Sequence, residues 1–252
     1  MLEQIVETKK QELSNYPKTF EKVTYTQRSL KNAISNSNRK LGLIAEVKKA
    51  SPSKGIIRED FHPVDIAKTY EAAGADAISV LTDKTYFQGH SDYLTQIKKA
   101  VNLPILRKDF IIDSVQVEES KSMGADAILL IKAILDPVQM KELYLYAKEL
   151  GLEVLLEVHS KDEVKEVFNQ FIPELLGINN RDLNTFKTSV AHTGEIASVI
   201  PEEVTFISES GIKTSEDVNF VHQAGASGIL VGETLMRSKS ISTCIEDLFQ
   251  EN

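Results

Sequence analysis

Charged residues recur at the ends of short apolar runs, and their types make up an acid–base set. In "IAEVKKASPSKG" (44–55) an apolar run ends in Glu46 and Lys48, then breaks at Ser51, Pro52, Ser53 and Gly55. Two apart on a strand, Glu46 and Lys48 share one face with Ile44. "ILRKDF" ends in Arg107, Lys108 and Asp109, and "LLEVHS" carries Glu157 and His159. Further on come Asn179, Asn180 and Arg181 of "GINNRDL", then Ser208, Glu209, Ser210 and Gly211 of "ISESGI", then Gly232, Glu233 and Thr234 of "VGETLMR". Glu46, Glu157, Lys48 and Lys108, if brought together, supply proton donors and acceptors in a partly desolvated pocket, where a lysine pKa can fall toward neutrality. Taken singly, each is equally well a rim charge with a salt-bridge partner, a contact worth little.

Positioning such residues requires the apolar runs to be strands of one sheet. "AGADAISVL" (73–81), "MGADAILLI" (123–131) and "AGASGILVG" (224–232) repeat one pattern: an amphipathic segment, a glycine, a small pair and an apolar run. The glycine suits a helix C-terminus. The run that follows has strand length without alternation, as in a parallel strand buried on both faces. Strands are predicted at 41–47, 77–81, 104–107, 127–131, 153–157, 175–179, 204–208 and 228–231. Helical patterns lie between them. Residues 64–73 carry Ile66, Tyr70 and Ala73 on one face; 137–150 starts with Asp136 as N-cap and Pro137 at the first helical position. Ser160–Glu163 and Thr214–Asp217 read as capping boxes. Eight strands alternating with helices favour an α/β fold of the (β/α)8 TIM-barrel class over an open doubly wound sheet, and no GxGxxG follows the first strand.

The barrel reading sends the strand-end residues to the catalytic rim. Lys132 closes the fourth strand. Gly211 and Gly232, after strands seven and eight, would let backbone N–H groups approach a phosphate, with a short helix from Glu233 behind them. The five histidines show no metal spacing, and His159 reads as structural or supporting. Cys244 reads as core, and no metal site is predicted.

The 252 residues suit one such barrel, read as a single domain over 1–252 with residues 1–40 as an N-terminal extension. Leu2, Ile5, Val6, Lys9 and Leu13 have helical spacing. Periodicity leaves open whether the extension plugs the bottom of the barrel or roofs its mouth. A formal net charge of −8 argues against nucleic acid as a partner, and requires any anionic ligand to be met by a local positive field. No apolar run reaches membrane-span length, the N-terminus has no signal-peptide core, and one cysteine excludes an internal disulfide; a cytoplasmic location is expected.

Together "IAEVKKASPSKG", "ILRKDFIID", "LLEVH", "GINNRDL", "ISESGI" and "VGETLMR", with the N-terminal "LEQIVETKKQEL", resemble the indole-3-glycerol-phosphate synthase family of tryptophan biosynthesis. The resemblance implies a lyase. It closes the ring of 1-(2-carboxyphenylamino)-1-deoxyribulose 5-phosphate, with loss of CO2 and water, and uses neither cofactor nor metal. It implies Lys108 as general acid for ring closure and Glu157 as base or cation stabiliser in dehydration. Glu46 would assist protonation and orient the lysines, Lys48 would hold the substrate carboxylate or phosphate or share the acid role, and Asn179 would hold a substrate hydroxyl with Arg181 alongside. Ser51, Ser210, Gly211, Gly232 and Glu233 would form the phosphate side, and Phe87 and Phe110 would pack on the anthranilate ring. Glu233 stands where some relatives have Ser, so only its N–H can serve there. Asn180 is given no catalytic role, and the chain has no tryptophan to place in the N-terminal helix.

Two rivals stand beside this reading. A phosphoribosylanthranilate isomerase would need a Cys/Asp pair at strand ends, whereas Cys244 falls in the last helix. A non-enzymatic barrel serving a biosynthetic complex would lack part of the charged set, all of which is present. The expected form is a monofunctional monomer acting on a small phosphorylated substrate, with association with other tryptophan-pathway enzymes left open. The segment 49–60 is the candidate lid.

Overall fold

The computed structural model describes residues 1–250 except 18, 22, 183, 184 and 186. Eight parallel strands close a barrel: β1 (Gly42–Val47), β2 (Ala77–Leu81), β3 (Ile105–Lys108), β4 (Ala127–Ile131), β5 (Glu153–Val158), β6 (Leu175–Asn179), β7 (Thr205–Glu209) and β8 (Gly228–Val231). Each pairs with its neighbours in sequence, and β1 pairs with β8 from Gly42↔Gly228 to Ala45↔Val231, so no edge is left unpaired. All eight predicted strands are present, with ends shifted by a residue or two: β3 begins one residue later and reaches Lys108, and β7 runs on to Glu209.

Helices α1 (Leu2–Leu13) and α2 (Leu30–Ser35) precede the barrel. Around it run α3 (Pro63–Ala72), α4 (Ser91–Ala100), α5 (Ser114–Met123), α6 (Pro137–Glu149), α7 (Lys161–Phe168), α8 (Ala191–Ala197), α9 (Ser215–Gln223), α10 (Glu233–Arg237) and α11 (Ile241–Leu248). Asp136 caps α6 through Val138 and Gln139, and the Thr214–Asp217 box is reciprocal. The Ser160–Glu163 box is not. Ser160 accepts from the Glu163 N–H, but the Glu163 carboxylate takes the N–H of His159 instead of that of Ser160.

Alternation along each strand divides the apolar residues into two cores. Leu43, Ala45 and Val47 face the helices, whereas Ile44, Ala77, Leu106, Ala127, Leu129, Leu155, Leu175, Ile207 and Leu230 fill the barrel. The N-terminal extension serves both ends. Leu30 and Ile34 of α2 join the interior core from below. The segment before α2 is tied to the floor by Arg28 N–H on Asp126 and Ser29 on Glu153. At the opposite end Lys9 of α1 reaches Asp83 at 2.8 Å and Asp109 at 3.1 Å, just past β2 and β3.

Candidate active site

One spacing rule builds the mouth of the barrel. An interior apolar residue is followed, two positions on, by a polar residue on the same face: Ile44 by Glu46, Leu106 by Lys108, Leu155 by Glu157, Ile207 by Glu209. On β6 and directly after β8 the same face carries glycine, at Gly177 and Gly232. These glycines supply space. A Cβ on Gly177 would lie 2.1 Å from Glu209 Oε1, and one on Gly232 2.4 Å from Glu46 Oε1 and 3.0 Å from Lys48 Nζ.

The charged groups converge on Lys108. Its Nζ lies 2.7 Å from Glu209 Oε2 and 2.9 Å from Glu157 Oε2, and Lys48 pairs with Glu46. All three carboxylates are buried. Burial alone would lower the Lys108 pKa; Glu157, Glu209 and Glu46 more than offset it and hold the ammonium above the ordinary lysine range. The expected fall toward neutrality therefore does not occur, because three buried carboxylates act on one ammonium. Burial would raise Glu157, but Lys108 and His159 outweigh it and hold this carboxylate well below its usual range. Glu209 goes the other way: burial, with repulsion from Glu157 and Glu46, outweighs Lys108 and pushes it up to about 7.

The cluster lies in a cavity of about 820 Å³. One part of its wall is apolar, with Leu81, Leu129 and Ile131 from the barrel, Phe87 and Phe110 from the rim, and Met1, Leu2 and Ile5 from α1. The two phenyl rings stand 6.0 Å apart. Another part is cationic: Lys48, Lys54, Arg181, Lys213 and Arg237 supply a local positive field in a chain of net charge −8. Arg181 Nη1 donates to Ser53 Oγ at 2.6 Å, joining the loops after β6 and β1. Ser210 and Gly211 are consecutive residues with positive φ (69° and 86°). Buried Asn180 holds this turn, donating from Nδ2 to the Ser210 carbonyl at 2.9 Å and accepting from Thr193 through Oδ1. Ser51 Oγ and Glu209 Oε1 are buried without a hydrogen-bond partner among the described residues.

The residues that the family resemblance assigns to the site all line this one cavity: Glu46, Lys48, Ser51, Phe87, Lys108, Phe110, Glu157, Asn179, Arg181, Ser210, Gly211, Gly232 and Glu233. Lys132 does not; it pairs with Glu166 at 2.8 Å. Glu233 pairs with Arg237 at 2.9 Å within α10. Sequence reasoning passed over three groups. Glu209 carries no assigned role in the sequence, although Ile207–Glu209 repeats the Leu155–Glu157 spacing. Lys9 sits on the apolar face of α1, a signal that this ammonium is buried. Asn180, without a catalytic role in the sequence reading, braces the Ser210 turn.

The structure resembles other solved barrels at low sequence identity, a likeness of fold alone. The 3-hexulose-6-phosphate synthase from Salmonella typhimurium has a TM-score of 0.66 and 13% identity, covering 82% of this chain and 96% of that one. The thiamine phosphate pyrophosphorylase from Pyrococcus furiosus has a TM-score of 0.61 and 15% identity, covering 83% and 94%. The sequence comparisons are closer. The indole-3-glycerol phosphate synthase of Halalkalibacterium halodurans is 57% identical over 99% of this chain and 96% of its own length. That of Priestia megaterium is 54% identical over 100% and 98%. The family model for indole-3-glycerol phosphate synthase matches residues 2–248. With the strand-end motifs of this sequence gathered in one cavity of a closed barrel, these matches carry the assignment: the chain belongs to the indole-3-glycerol phosphate synthase family.

Proposed function

We propose that this chain converts 1-(2-carboxyphenylamino)-1-deoxyribulose 5-phosphate to indole-3-glycerol phosphate, CO2 and water, with Lys108 as the central proton donor. The observation that carries the reading is the Lys108 ammonium set between two buried carboxylates at the mouth of a barrel of this family.

The reaction asks for three things. The ring carbon bearing the carboxylate attacks the ketone carbon, so the carbonyl oxygen must receive a proton. Loss of CO2 then restores the aromatic ring. Departure of the hydroxyl as water finally requires an acid at the oxygen and a base at the proton that is lost. Lys108 is kept protonated by its carboxylate neighbours and donates to the ketone oxygen. Glu157, held as an anion, takes the proton in dehydration or stabilises the cation that precedes it. Glu46 orients Lys48, which meets the substrate carboxylate, and Asn179 with Arg181 holds the hydroxyl chain. The unpartnered Ser51 hydroxyl, the Ser210–Gly211 turn, Gly232 and the Glu233 N–H form the phosphate side. Phe87 and Phe110 hold the aromatic ring. We read the chain as a single functional unit over 1–252 that works as a monomer, and the biosynthetic family supports a cytoplasmic setting.

Indole formation followed by fluorescence tests this, with wild type compared to Lys108→Ala and Glu157→Gln. Turnover by the wild type and a loss of ~10²-fold or more in either variant is expected. A folded wild type without turnover would reject the reading.

A further inference from the structure

The acid–base cluster has a buried neighbour that the chemistry above does not use. His159 follows Glu157 by two residues, lies just beyond β5 and is not part of the cavity wall. Its side chain is 9% exposed, with Nε2 3.2 Å from Glu157 Oε1 and Nδ1 3.5 Å from Glu163 Oε2. These are ion-pair contacts and not aligned hydrogen bonds. The backbone fixes where the ring sits. The His159 N–H donates to Glu163 Oε2 at 2.6 Å, and its carbonyl faces His192 Nε2 at 2.7 Å. Glu163 is itself fixed in the first turn of α7, where its N–H bonds Ser160 Oγ. A neutral imidazole has one N–H, whereas a ring with a carboxylate beside each nitrogen suits the imidazolium, which has two.

We propose that His159 is a positioning residue: as an imidazolium it grips Glu157 Oε1, so that Oε2 stays anionic and directed at Lys108. The inference rests on the proposed function for the step that Glu157 serves. The groups around the ring are Glu157 on β5, Glu163 on α7 and His192 on α8, with Lys108 of β3 beyond Glu157 and Glu195 3.6 Å from His192. Burial works against the charged ring, but Glu157 and Glu163 outweigh it and push its pKa up to about 10. Glu157 thus has a cation at each oxygen, Lys108 at Oε2 and His159 at Oε1. Glu209 has Lys108 at Oε2, and its Oε1 lacks a hydrogen-bond partner among the described residues.

Nitrogen-15 NMR of the ligand-free wild type reads the ring directly. Both His159 nitrogens are expected to be protonated at about pH 8. A single neutral tautomer there overturns the proposal, whether or not the protein turns over substrate. Kinetics supply the second arm. In His159→Gln, kcat is expected to fall ~10-fold from misaligned Glu157, with KM within a factor of ~2. The acidic limb of its kcat–pH profile moves to higher pH, because Glu157 has lost a cation. In Glu163→Gln the ring keeps one carboxylate, so the same loss appears as the pH rises through the lowered His159 pKa. This variant decides the matter if His159→Gln does not fold. Wild-type kcat and an unmoved profile in His159→Gln overturn the positioning role. An inactive wild type with a doubly protonated His159 would reject the proposed reaction and leave the grip on Glu157 standing.

Discussion

Glu209 Oε1 occupies the space in which a side chain on Gly177 would begin, 2.1 Å from the position of its Cβ. The bare backbone of β6 is what allows a buried carboxylate on β7 to stand beside Lys108. Gly177→Ala should push Glu209 off the ammonium. The overpacking should cost ~1–3 kcal/mol. Displacement of a catalytic neighbour should lower kcat by ~10²-fold. Steady-state kinetics and urea midpoints read the two separately, and an alanine variant with unchanged kcat would show that Glu209 is not needed where it stands.

The raised carboxyl pKa of Glu209 places a titration in the neutral range. Its folded value, about 7, lies above the ordinary 4.5, so its contribution to stability is full below 4.5 and lost as the pH rises through about 7. The kcat/KM profile, which reports the free enzyme, should contain an ionisation near this value. Glu209→Gln should remove it. Persistence of that ionisation in the glutamine variant would assign it to another group.

Lys9 fastens α1 over the cavity by pairing with Asp83 and Asp109, with all three side chains almost wholly buried. Lys9→Met leaves two buried carboxylates facing an apolar side chain. Asp109 retains Arg107 at 3.3 Å, whereas among the described residues Lys9 is the one cation paired with Asp83. A loss of ~3 kcal/mol is expected. Met1, Leu2 and Ile5 form part of the wall, so KM should rise as the roof loosens. Adding Asp83→Asn should restore part of the stability, since one uncompensated charge is removed. Denaturation of the single and double variants checks this, and equal stabilities would argue against the pairing.

Asn180 makes no claim on the reacting atoms but braces Ser210, the non-glycine residue of the positive-φ pair. Asn180→Ala leaves the Ser210 carbonyl, Ser208 and Thr193 short of a buried partner, at ~1–3 kcal/mol. The substrate phosphate should bind more weakly, raising KM by ~10-fold for ~1.4 kcal/mol of lost binding. A normal KM would show that the turn keeps its shape unaided.

Much of this protein is legible in one dimension. The eight apolar runs, the glycines after the helices and the two-residue spacing of Ile44–Glu46 and Leu155–Glu157 are local patterns, and a closed barrel turns local strand ends into one rim. Glu46, Lys108 and Glu157 could thus be read as neighbours although more than 100 positions separate the first from the last. Other features were decided by contacts between elements distant in sequence. The division of the N-terminal extension into a roof at Lys9 and a plug at Leu30 and Ile34 depends on which end of the barrel each helix meets. The transfer of Glu163 from its own cap to the His159 N–H depends on the turn after β5. The upward shift of Lys108 depends on burying three carboxylates around it. Periodicity along one chain reports which face a residue occupies; the sign of a pKa shift depends on the sum of charges and lost solvent in three dimensions, which only the closed barrel specifies.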